Sequence, residues 1–228
     1  MKGWDYQEIQ RLLDQFPGGG DPDDPKERKR RLIVDTAARL FASQGYRKTS
    51  VEQVARQAGV AKGTVYLYAK NKAELLLHGV IEEKRRALEN LRDLMHPDYT
   101  GRERLKAWLV AVFTQTAELP LTARLLTGDR EILAVLYQYG ADRGEDWEGM
   151  QHEFLSSMID EAAAPHRLTP IELGDRAKVL YGFVMFAGMV QDEQVRRGLS
   201  LERFAQLLAE MIVDGVSPAP SRGEAGGR

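Results

Sequence analysis

The 228-residue chain contains no cysteine. A disulfide framework, a thiolate metal site and a cysteine nucleophile are therefore all excluded. Histidine is scarce at four residues, and His78, His96, His152 and His166 fall in no metal-ligand spacing; His152–Glu153 lacks a second histidine one turn on. There is no Gly-x-Ser-x-Gly elbow, and Gly18–Gly20 has neither the lysine nor the preceding strand of a phosphate loop. The longest nearly uncharged apolar run, 179–190, is shorter than the ~20 residues a membrane span needs. MKGWDYQEIQ has no apolar stretch or small-residue cleavage site of a secretion signal. The expectation is a soluble, cytoplasmic protein, not an enzyme, with no cofactor, metal or membrane partner.

Net charge is low as well, at -2, but it is unevenly placed. Between Lys26 and Lys72 twelve basic residues face only Glu27, Asp35 and Glu52. That segment holds an excess of nine positive charges, and the rest of the chain an excess of eleven negative ones. A small polyanion-binding module on an acidic body is implied. Period-two alternation is nearly absent, whereas Leu, Ala, Glu, Arg and Gln dominate between the Gly and Pro breakers. The fold class is all-α, with helices expected at 4–16, 27–44, 51–58, 62–68, 72–95, 102–118, 121–127, 130–139, 146–163, 171–196 and 200–214. Residues 1–25 read as an amphipathic helix (Trp4, Ile9, Leu12, Leu13, Phe16) on a flexible acidic tether, PGGGDPDDP. It could pack on the body, cover DNA or engage another protein. The tail 217–228, SPAPSRGEAGGR after Val216, reads as disordered.

The informative segment is RLIVDTAARLFASQGYRKTSVEQVARQAGVAKGTVYLYAKNKAELL. Ile33, Ala37, Leu40 and Phe41 share one helical face, which Gly45 closes. Ser50 with Gln53 forms a capping-box pattern, and Val54, Ala55 and Ala58 make the next buried face. Ala55 is small where two helices cross, Gly59 suits a positive φ, Val60 fills the corner, and Val65 anchors the second helix. Lys62, Gly63, Thr64 and Tyr66 are thereby left outward near the N-terminal half of that helix, the end a recognition helix puts into the major groove. A plain tight corner is the competing reading, but the local charge and the upstream supporting helix favour a helix-turn-helix.

Residues 29–77 resemble the DNA-binding domain of the tetracycline-repressor (TetR) family of one-component bacterial regulators, through AARLFASQGY, TSVEQVARQAGVAKGTVYLY and KNKAELL. Two positions depart from the pattern. Ala69 stands where an aromatic usually packs the recognition helix, and Ala61 stands where a capping serine is common. Position by position, the resemblance implies DNA contacts from Lys62, Gly63, Thr64 and Tyr66. It also implies phosphate contacts from Tyr68 and Lys72, with help from Thr49 and Ser50. Arg47 and Lys48 are phosphate neighbours on charge alone. It further implies an N-terminal three-helix domain at 26–72 and a C-terminal helical-bundle domain at 73–216 for ligand binding and dimerisation.

In that second domain, 171–196 is apolar around most of its circumference, which asks for cover on every side. With the helix after it, the resemblance implies a four-helix homodimer interface from Phe183, Phe186, Val190, Phe204, Leu208 and Met211; ordinary core is the alternative. Trp108, Phe113, Tyr137, Trp147, Met150, Phe154, Tyr181 and Met185 are the candidate lining of an effector cavity, again with plain core packing as the alternative. The expected function is a regulator, by family default a repressor, that binds a palindromic operator on double-stranded DNA as a homodimer and is released by a small apolar or amphipathic molecule. The alternatives are a protein-binding adaptor, in which the basic corner meets an acidic partner, and an all-α enzyme, which no motif supports.

Overall fold

The first described helix, α1 (Pro25–Gln44), starts two residues before its expected position. Asp24 accepts a hydrogen bond from the Lys26 N–H at 3.0 Å, and Pro25 occupies the first turn, where its missing N–H costs nothing. The computed structural model describes residues 10–11, 13–91, 98–144 and 146–216, and those residues are all-α, with no strand among them. Trp4, Ile9 and Leu12 of the N-terminal stripe, and the tail 217–228, lie outside the described residues. The remaining helices are α2 (Val51–Gln57), α3 (Lys62–Tyr66), α4 (Lys72–Leu91), α5 (Gly101–Gln115), α6 (Pro120–Leu126), α7 (Arg130–Ala141), α8 (Trp147–Ala163), α9 (Pro170–Met185), α10 (Glu193–Arg196) and α11 (Leu201–Val216). The described residues fold as two compact units, one drawn from 10–90 with 115–147, the other from 91–114 with 148–216.

In the first unit α1 buries Ile33, Ala37, Leu40 and Phe41, and ends where the Gly45 N–H bonds Phe41 O at 3.0 Å. Helices α2 and α3 are too short to persist alone. They are held through Val54, Ala55, Ala58 and Val65, which join a continuous core with Leu75, Leu76 and Val80 of α4 and with Leu121, Ile132 and Leu136 of α6 and α7. Gly79 allows α4 to approach α6 closely, since a Cβ there would stand 2.9 Å from Leu121 Cδ1. One turn on, the fully buried Glu83 carboxylate accepts from the Leu121 and Thr122 N–H groups at 2.9 and 2.7 Å. It thereby caps α6, whose own Leu119 supplies no side-chain cap. Arg124 links α6 to the end of α1 through Ala42 O at 2.6 Å, and to Asp129 at 2.7 Å.

The stretch leading into PGGG packs on the body, one of the three possibilities open from the sequence. Leu13 is buried and Phe16 packs on the same core. Arg85 donates to the carbonyls of Leu13 and Phe16, the latter at 2.8 Å, and meets Asp14 at 3.2 Å. Beneath this segment Arg30 is buried against Glu27 at 2.8 Å and Glu82 at 2.5 Å, which ties α1 to α4.

The second unit packs Leu105, Leu109 and Phe113 of α5, Leu155 and Ile159 of α8, Leu180 and Val184 of α9, and Ala205, Ala209 and Ile212 of α11. Helix α9 opens with a full capping box between Thr169 and Glu172. The continuous helix expected over 171–196 is broken after Met185. The N–H groups of Phe186 and Ala187 bond three residues back, to Phe183 O and Val184 O, at 3.0 Å each. A 3-10 turn follows at Met189–Gln191, and Asp192 then caps α10 through the Gln194 N–H at 2.9 Å. Gln191 donates to Phe113 O at 2.8 Å, fixing the break onto α5.

Candidate nucleic-acid interface

The outward face of α3 is produced by its anchoring. Ala58 ends α2, Gly59 takes φ +66, and the Val60 N–H returns to Ala55 O at 3.0 Å, which turns the chain sharply into α3. Val65 is then buried, so its neighbours on the opposite side cannot be. Lys62 and Gly63 are exposed, Thr64 is half-buried, and Tyr66 is 44% exposed. A Cβ on Gly63 would meet nothing within 4 Å, so a partner could approach its backbone directly. Ala61 provides no side-chain cap, as its sequence identity requires, and the first turn of α3 keeps its N–H groups uncapped by a side chain.

The flanking candidates divide into two groups. Ser50, Arg47 and Lys48 are exposed. Ser50 accepts from the Gln53 N–H at 3.1 Å, while the Gln53 side chain turns to Gln44 at 2.8 Å instead of completing the box. Arg47 stands 3.4 Å from Glu131, and its N–H donates to the same carboxylate at 2.8 Å. Thr49, by contrast, is buried, with its hydroxyl donating to Gly45 O at 2.9 Å. Lys72 is half-buried, its ammonium donating to Tyr46 O and Thr49 O at 3.0 and 3.1 Å and lying 4.1 Å from the Tyr46 ring centroid. Thr49 and Lys72 thus shape the loop that presents Arg47, Lys48 and Ser50. Ala69 is buried, Tyr68 packs partly against the same core, and Leu67 is 81% exposed.

Two residues were missed by sequence reasoning. Leu67 follows Tyr66 at the end of the outward face, an apolar side chain placed where it could meet a thymine methyl. Helical spacing from Gly63 was the available signal. Glu52, in the first turn of α2, is in contact with the Lys62 ammonium. That contact holds the Glu52 carboxyl below its ordinary range and raises Lys62.

In the second unit Trp108 and Phe154 pack edge to face with centroids 5.6 Å apart, Phe113 is buried, and Tyr181 and Met185 are half-buried. Met150 is exposed. Tyr137 belongs to the first unit and is exposed there, and the Trp147 side chain lies outside the described residues. Of the dimer candidates, Phe183, Phe186 and Met211 are exposed, the last at 73%, and Phe204 and Leu208 are half-buried. Val190 is buried within its own unit and so is not available to a partner's surface. Among the described residues no helix is long and apolar enough to cross a membrane, and no group of three His, Cys, Asp or Glu is arranged to hold a metal.

Comparison with known proteins places residues 33–78 in a match to the family model described as bacterial regulatory proteins, tetR family. The fatty acid metabolism regulator protein of Bacillus subtilis (strain 168) is 29% identical over 153 residues, which are 59% of this chain and 79% of that protein. Among solved structures, a TetR-like transcriptional regulator from Rhodococcus sp. RHA1 matches with a TM-score of 0.60 at 19% identity, covering 84% of this chain and 97% of the other. The transcriptional regulator FadR from Bacillus subtilis, solved in complex with stearoyl-CoA, matches with a TM-score of 0.58 at 20% identity, covering 81% and 97%.

Proposed function

From a chain that belongs to the TetR family of bacterial transcriptional regulators, we propose a one-component repressor that binds an approximately palindromic operator as a homodimer and is released by an acyl-coenzyme A thioester. The observation that carries the DNA-binding half is the anchoring of α3. Val65 is buried, and Lys62, Gly63 and Tyr66 are left outward on a segment whose surroundings are strongly basic. Lys62 and Thr64 supply donors for base edges, Tyr66 and Leu67 apolar contact, and Arg47, Lys48 and Ser50 lie beside them as phosphate partners.

The dimer reading rests on the exposed phenylalanines Phe183 and Phe186 and on Met211, with Phe204 and Leu208 half-buried along α11. Phe183 and Phe186, three residues apart at the end of α9, leave apolar surface that favours a covering partner. A second copy supplies an identical face and, with it, a second recognition helix, which is why the operator is palindromic. The domain division follows the same reading, with DNA contact from 26–72 and effector binding and dimerisation from 73–216.

The effector class is drawn from the relatives, one named for fatty acid metabolism and one solved with stearoyl-CoA. In this reading Trp108 and Phe154, which pack edge to face, would supply apolar contact to the acyl chain together with Tyr181 and Met185. Release follows only if the thioester binds the DNA-free shape more tightly than the DNA-bound one. The test is selection of duplexes from a random pool by the full-length protein, followed by titration of the bound duplex with stearoyl-CoA and with free coenzyme A. Palindromic enrichment and release by stearoyl-CoA alone are expected. No enrichment overturns the DNA reading, and enrichment with no release overturns the effector class.

A further inference from the structure

Glu52 is the sole acidic residue between Thr36 and Ala73, and Lys62 is the sole basic residue of α3. The structure puts their side chains in contact, with 49% of the Lys62 side chain and 59% of the Glu52 side chain exposed. The pair is also beside the outward aromatic, the Lys62 ammonium lying 6.0 Å from the Tyr66 ring centroid. An exposed ion pair contributes little stability, and α2 and α3 are already joined by the Val60–Ala55 hydrogen bond and the buried Val54, Ala58 and Val65. Its consequence is orientation. A free lysine ammonium sweeps a wide arc on its four-carbon stem and satisfies any phosphate it meets, whereas a base edge demands a donor held in place. Glu52 takes one of the three ammonium donors and leaves two, with the ammonium drawn to one side of its arc, 6.0 Å from the Tyr66 ring centroid.

We infer that Glu52 is a positioning and specificity residue, which aims Lys62 at base acceptors and withholds it from the phosphate backbone. This rests on the DNA-binding reading above. Its consequence is a split between specific and non-specific affinity. In Glu52→Gln the side chain keeps its length and loses its charge, so Lys62 is free to neutralise a phosphate on any sequence. Non-specific binding then gains a contact, while operator binding gains nothing and loses the aim.

The experiment uses the full chain, a duplex enriched by the wild-type protein from a random pool, and a scrambled duplex of the same composition. Fluorescence anisotropy is followed from about 0.05 to 0.3 M salt. For Glu52→Gln the scrambled-duplex affinity rises roughly 3- to 10-fold at the low-salt end, and its log–log salt slope steepens by about 0.9, the value for one more phosphate contact. The operator-to-scrambled ratio falls correspondingly. In a Lys62→Met background the same Glu52 substitution leaves slope and ratio unchanged. Equal changes on both duplexes, an unaltered slope, or an equal ratio change without Lys62 would overturn the inference. A wild-type protein that enriches no duplex refutes the DNA-binding reading itself, an outcome distinct from these.

Discussion

Replacing Glu83 by alanine removes from the first unit an acceptor that no neighbouring water can replace, because the residue is fully buried. Its two partners, the N–H groups of Leu121 and Thr122 at 2.9 and 2.7 Å, lose their acceptor at the start of α6. The Leu121 donor is buried and, left unsatisfied, costs ~1–3 kcal/mol, whereas the half-buried Thr122 donor is partly recovered by water and costs less. Part of that is offset because an ionised carboxylate no longer has to be desolvated. The expected net loss is about 2–4 kcal/mol, which lowers Tm by roughly 5–15 °C for a chain of this size. Glu83→Gln keeps one acceptor oxygen and should lose about half as much. The two variants also separate a pH effect. Burial raises the Glu83 carboxyl above its ordinary value of 4.5, against the pull of the Leu121 and Thr122 hydrogen bonds. The folded protein therefore holds this proton more tightly than the unfolded chain does. Its stability contribution is greatest below the ordinary carboxyl value and declines as pH rises towards the elevated one. Glutamine cannot ionise, so the stability of wild type relative to Glu83→Gln should fall with rising pH across that window, other carboxylates cancelling between the two. Urea unfolding midpoints measured from about pH 4 to pH 7 provide the test. An alanine variant within ~0.5 kcal/mol of wild type, or a pH-independent difference between wild type and Glu83→Gln, would refute the capping argument.

Three further outcomes are expected. Phe183→Glu combined with Phe186→Glu puts charge on the exposed apolar face and should yield a folded monomer in sedimentation at micromolar concentration; a persisting dimer would place the interface elsewhere. Removal of residues 1–24 exposes the core that Leu13 and Phe16 cover and strips Arg85 of its carbonyl partners, costing about 2–4 kcal/mol; an unchanged melting curve would contradict the seating of this segment. Lys72→Met gives up two carbonyl hydrogen bonds and the contact with the Tyr46 ring, so its melting temperature should fall even without DNA, by about 1–3 kcal/mol in stability.

Much of the recognition corner was legible because its determinants are local. Gly59, the Ser50 cap, and the spacing of Val54, Ala58 and Val65 each act within a few residues, and together they decide which side of α3 faces out. The Glu83 cap was not legible, since nothing in the sequence around Leu119 announces an acceptor arriving from 38 positions away. PGGGDPDDP reads as a tether by composition, and only the fold brings Arg85 and Arg30 beneath it. The break after Met185 was hidden because an apolar run looks the same whether its N–H groups bond three or four residues back. Glu52 is hidden for a related reason: by composition it is one charge on the basic segment, and its contact with Lys62 is made across the turn.

The outward disposition of α3 is tested most directly by Tyr66→Ala in a gel-shift titration on the duplex enriched by the wild-type protein, alongside a melting curve of the free variant. The side chain is substantially exposed, so stability should stay within about 0.5 kcal/mol of wild type while the sequence-specific complex disappears. A variant that shifts the same duplex at the same concentration as wild type would contradict the assignment of α3 as the recognition helix.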